Sequence, residues 1–112
     1  MIYKGEELNT IGDIFNKALS FAKYHDKEGA NNFLKAYASY IYNENPDVKS
    51  FDEALQMAKN NLGYFAGYYD KQTCDLIYET YVTEHPIFGK NPFGVSSEDA
   101  FKAGLEAGYK HK

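Results

Sequence analysis

The stretch SFDEALQMAKNNLGYFAGYY, residues 50–69, decides the fold. Ser50 and Glu53 have the spacing of a capping box, in which each side chain satisfies a backbone donor left open by the first helical turn. Behind it, Phe51, Ala54, Leu55, Ala58, Leu62, Phe65, Ala66 and Tyr69 recur at steps of three and four, the period that lines one face of an α-helix. The spacing predicts a helix over 51–68 whose apolar face requires a core to cover it. Off that face, Gly63 and Gly67 stand one turn apart. A glycine inside a helix costs about 1 kcal/mol relative to alanine, so two of them suggest that another backbone comes close.

Working outward, the same punctuation repeats. Thr10 with Asp13 is a variant capping box, and Ile11, Ile14, Phe15, Ala18, Leu19 and Ala22 follow it, giving a first helix at about 10–24. Asp26 caps a second, with Ala30, Phe33, Leu34, Tyr37, Ala38 and Ile41 on one face. Asn45-Pro46 ends it, because proline disfavours helix at the preceding residue. Asp70 caps a fourth helix carrying Cys74, Ile77, Tyr78, Tyr81 and Val82, which runs to His85 before Pro86. The segment IFGKNPFGV, residues 87–95, is a Gly/Pro loop. Ser96 and Ser97 then cap a last helix with acidic Glu98 and Asp99 in its first turn, favourable to the helix dipole.

The expectation is an all-α domain of about five short helices over 1–112, packed as antiparallel neighbours behind an irregular or briefly extended lead-in. The helix pairs do not align at the ~34-residue period of a tetratricopeptide array, so a solenoid is rejected. In the last helix Ala100, Gly104 and Gly108 repeat the four-residue small spacing. It is therefore expected to pack closely on the end of the third. The competing reading is that the third helix frays after Leu62 and its glycines terminate it.

Composition excludes several functions. With one cysteine, Cys74, no internal disulfide forms and no zinc site is built on several thiolates. Cys74 falls on an apolar face, where an inert thiol is expected. His25, His85 and His111 show no metal-ligand spacing, and no metal or cofactor is expected. All twelve basic residues are lysine, and the net charge is −4. Without arginine's planar fork, a conventional nucleic-acid or nucleotide-phosphate site is not expected. An A·T-rich coding sequence produces the same Lys-over-Arg bias. The sixteen acidic residues are diluted among the lysines along every helix, which suits a solvated surface better than a DNA mimic. The first residues carry no apolar leader, and no run of about 18 apolar residues occurs, so a cytoplasmic protein without a membrane span is expected.

Eleven tyrosines and eight phenylalanines raise the aromatic share to 17%, and some of these residues are the candidate site. Tyr64 and Tyr68 lie one turn apart beside Tyr69, off the main apolar stripe. They are either core-edge packing or a binding surface of large area and low side-chain entropy. His85, Phe88 and Phe93 are grouped with them as candidate contacts. His85, next to Glu84, and His25 each stand at a helix end, where a side-chain contact with the last carbonyls and the helix dipole is expected rather than general-base chemistry. No nucleophile or orienting partner is visible for either, so no enzyme is expected.

The segments NLGYFAGYYD (61–70), EHPIFG (84–89) and SEDAFKAG (97–104) resemble small, uncharacterised proteins encoded by bacteriophages and prophages, over roughly residues 10–108. The resemblance implies an accessory protein made in an infected or lysogenic bacterium, acting in the host cytosol. It carries no catalytic residue. The combined expectation is a non-enzymatic protein that binds a host or defence protein through a Tyr/Phe surface. The alternative is a binder that sequesters a signalling nucleotide between subunits. The glycine faces could equally serve a homo-oligomer.

Overall fold

The chain begins with a hairpin, Ile2–Tyr3 (β1) paired antiparallel with Glu6–Glu7 (β2). Lys4 and Gly5 between them both have positive φ, 50° and 82°, as a two-residue primed turn requires. The ends are tied by Leu8 N–H donating to Met1 O at 2.8 Å and the terminal ammonium donating to Leu8 O at 3.0 Å. The lead-in thus becomes a short strand pair that delivers Leu8 to the core. The computed structural model describes residues 1–81 and 97–111.

Among the described residues five helices follow: Ile11–Lys23 (α1), Lys27–Glu44 (α2), Phe51–Ala66 (α3), Lys71–Tyr81 (α4) and Ser97–His111 (α5). The all-α expectation holds, and four of the expected caps are formed. Thr10 Oγ1 accepts from Asp13 N–H at 3.0 Å while Asp13 Oδ2 accepts from Thr10 N–H at 3.2 Å. Asp26 Oδ1 accepts from Gly29 N–H at 2.9 Å, and Asp70 Oδ1 accepts from Thr73 N–H at 2.9 Å. Ser50 Oγ accepts from Glu53 N–H at 3.1 Å, but Glu53 Oε2 takes the N–H of Lys49, one residue before the cap. Ser96, the other half of the expected α5 cap, lies outside the described residues, as do the end of the fourth helix at 82–85 and the 87–95 loop.

The helices close around Phe15, Phe33, Leu34, Ile77, Tyr81 and Phe101, all of them fully buried. Tyr81 Oη donates to Ala18 O at 2.5 Å, pinning the end of α4 to the middle of α1. Burial pushes the Tyr81 hydroxyl pKa far up, so it stays a donor. Cys74 is buried, with its thiol donating to Ala66 O at 3.0 Å.

The glycines settle how α3 and α5 meet. α3 does not fray at Leu62; it continues to Ala66. A Cβ placed on Gly63 would strike Phe101 O, and one on Gly104 would strike Asn60 O. A Cβ on Gly108 would strike Tyr64 O, and one on Gly67 would lie 2.7 Å from Leu105 O. Each obstacle is backbone, so no side chain can move aside. The hydrogen occupying each Cβ position therefore points at a carbonyl of the opposite helix, a reciprocal set of Cα–H···O contacts. Gly67 has an ordinary right-handed φ of −62°, so close approach requires it, not unusual dihedrals. The glycine faces are used within one chain. Ala100 lies on the same helix, but its side chain is outside the described residues.

Candidate functional site

Past Ala66 the chain tightens. Tyr68 N–H donates to Phe65 O and Tyr69 N–H to Ala66 O, three residues back, so the helix predicted to reach 68 ends at 66. The last α3 turn and this tightened turn present Tyr64, Phe65, Tyr68 and Tyr69 together. Tyr64 and Tyr68 pack edge-to-face with centroids 5.4 Å apart, and their hydroxyls share a hydrogen bond of 3.0 Å. That bond raises the Tyr68 pKa. Phe65 lies edge-on to Tyr64 at 5.5 Å and stacks on Phe15 of α1 at 6.0 Å. Tyr69 stacks on the same anchor, 5.2 Å from Phe15. Since Phe15 is 1% exposed while Tyr68 is 40% and Tyr69 39% exposed, the group is an aromatic ledge rooted in the core and open at its rim.

The structure thus brings together three of the residues singled out in the sequence, Tyr64, Tyr68 and Tyr69. His85, Phe88 and Phe93 lie outside the described residues. Among the described residues no cluster of His, Cys, Asp or Glu could hold a metal ion. His25 is exposed, and its role at the end of α1 is played by its backbone, not by the expected side-chain contact. It adopts a left-handed φ of 55°. Its N–H then donates to Ala22 O and the next N–H, of Asp26, to Phe21 O, the paired bonds of a Schellman turn.

Two features escaped the sequence reading. Lys59 is fully buried, and desolvation lowers its ammonium pKa to about 7. The signal was present, since Lys59 falls four residues after Leu55 and three before Leu62, inside the α3 stripe. The second is a cleft of about 330 Å³ between the start of α1, α2 and the middle of α3. Leu8, Ile11, Ile14, Ile41 and Met57 form its apolar walls, and Tyr37 and Asn61 join across it, Asn61 Nδ2 donating to Tyr37 Oη at 2.9 Å. No charged side chain occurs among its described lining residues. These residues come from three helices and the lead-in, so no local spacing could reveal them.

No helix among the described residues is long and apolar enough to cross a membrane. Comparison of the chain with protein-family models, with curated proteins and with solved structures finds no match.

Proposed function

We propose that this chain is a non-enzymatic binding protein that engages a host or defence protein in a bacterial cytosol through the ledge of Tyr64, Tyr68 and Tyr69. The observation that carries this reading is the Tyr64–Tyr68 pair, locked ring-to-ring and hydroxyl-to-hydroxyl while Tyr68 remains open to solvent. Association normally loses side-chain freedom at the contact. Rings already fixed in place lose less of it, which is why rigid tyrosines serve as interface anchors. The resemblance to phage and prophage proteins supports a bacterial setting.

The test is affinity capture from the cytosol of a bacterium that carries the gene, using the wild-type chain and a Tyr64→Ala/Tyr68→Ala variant. A protein retained by the first and lost by the second supports the reading; an identical set of retained proteins counts against it.

A second reading has one observation in its favour. The exposed Tyr68 and Tyr69 rings are faces on which a base of a signalling nucleotide could stack, such contacts contributing about 1–3 kcal/mol per base. Lysine alone would then meet the phosphates. A thermal-shift screen with cyclic nucleotides decides it: stabilisation that disappears in the double variant supports this reading, and no shift at millimolar nucleotide removes it.

A further inference from the structure

We propose that the cleft between α1, α2 and α3 is a second site, for a small, neutral, planar ligand with an amide edge, such as a lactam or an aromatic carboxamide. This goes beyond the tyrosine ledge and does not depend on it.

Size and charge bound the ligand first. About 330 Å³ is at the lower end of small-molecule pockets and suits one or two rings, not an extended chain. With no charged group among the described lining residues, an ionic ligand would lose its hydration without gaining a counter-charge. The aliphatic walls of Ile11, Ile14 and Met57 favour a flat apolar body.

The polar groups then define the edge that is recognised. Asn9, Thr10, Tyr40 and Asn45 also line the cleft, but all four are exposed to water, and Thr10 Oγ1 already accepts from Asp13 N–H while Asn45 Nδ2 donates to Ile41 O at 2.8 Å; Tyr37 is buried and Asn61 half-buried. Tyr37 and Asn61 are committed only to each other among the described residues. Asn61 uses one Nδ2 proton on Tyr37 Oη. The Tyr37 O–H remains as a donor, and Asn61 Oδ1 remains as an acceptor beside it. A donor next to an acceptor complements the adjacent C=O and N–H of an amide, the carbonyl accepting from Tyr37 and the N–H donating to Asn61. Burial raises the Tyr37 pKa and so keeps its proton in place. Both residues stand on helix interiors, which fixes the pair before any ligand arrives.

The experiment is a titration of the 15N-labelled chain with uracil and with nicotinamide, followed by NMR. Nicotinate serves as the charged analogue. The expected result is a saturable shift of the Asn61 side-chain amide and of Ile11 and Met57 with both neutral amides at millimolar concentration, and little with nicotinate. Tyr37→Phe keeps the ring and removes the donor, so it should weaken binding roughly fivefold to tenfold. Asn61→Asp, which replaces the amide by a carboxylate, should weaken it at least as much. The spectra themselves report whether each variant is folded. Tyr64→Ala/Tyr68→Ala should bind as the wild type does, which separates this site from the ledge. The proposal is overturned if no saturable shift occurs, if nicotinate binds as well as nicotinamide, or if a folded Tyr37→Phe binds unchanged.

Discussion

At the scale of single residues, two positions sit against local preference and each makes a measurable prediction. His25 takes the left-handed backbone that normally selects glycine, at about 1–2 kcal/mol for a residue with a Cβ. Because its backbone makes the helix-ending bonds, His25→Gly keeps them and should stabilise the fold by about 1 kcal/mol in chemical denaturation. Lys59 is the opposite case, a cation inside the core. Its pKa falls from 10.5 to about 7 on burial, so the unfolded chain binds the extra proton between those values. Stability must therefore rise with pH through that window, and the gain is lost as pH falls through about 7. Above pH 10 the buried hydroxyls of Tyr37 and Tyr81, whose pKa values are raised, act in the other direction and stability declines. Urea unfolding between pH 6 and 10 should show the rise in the wild type and a flatter profile in Lys59→Met. A flat wild-type profile would mean that Lys59 keeps its proton in the folded state.

At the scale of elements, what separates legible from illegible is whether the signal is local. The caps at Thr10, Asp26, Ser50 and Asp70 were readable because the side chain and its backbone partner stand three residues apart. The end of α3 was misplaced by two residues because Tyr68 and Tyr69 continue the aromatic pattern, while the backbone has already tightened through Phe65 and Ala66. The meeting of α3 and α5 was legible for a different reason. Glycines repeated at four-residue steps on two helices leave a flat strip on each, and each strip accepts the other's backbone. This predicts a sharp contrast between glycines. In Gly104→Ala the new methyl meets the Asn60 carbonyl and the Tyr64 amide, neither of which can rotate away, so the loss should reach about 3 kcal/mol, the upper range for overpacking. In Gly12→Ala the methyl meets only Thr10 Oγ1 at 3.6 Å, an ordinary contact, so stability should be unchanged or rise by up to about 1 kcal/mol. Thermal unfolding of the two variants side by side checks this; equal melting temperatures would contradict the close approach.

At the scale of the whole molecule, the helices build a scaffold on which two different surfaces stand. The ledge grows from the core through Phe15 and Phe65 and ends in exposed tyrosine. Its tyrosines could be picked out in the sequence because they share one helix end. Whether they serve the core or a partner could not be, since helical spacing alone does not distinguish a ring that covers the core from one that extends beyond it. The cleft was invisible for a deeper reason: Tyr37 and Asn61 are 24 residues apart and meet only after α2 and α3 have packed. The central claim is that the ledge exists for binding and not for holding the fold together. The most direct measurement pairs partner capture with thermal and urea unfolding for Tyr64→Ala/Tyr68→Ala. The account predicts that capture of the partner is lost while folding stability falls by no more than about 1 kcal/mol, as for surface positions that leave the core intact. Capture that persists, or a stability loss of about 3 kcal/mol or more of the kind that follows aromatic truncation in a core, would contradict it.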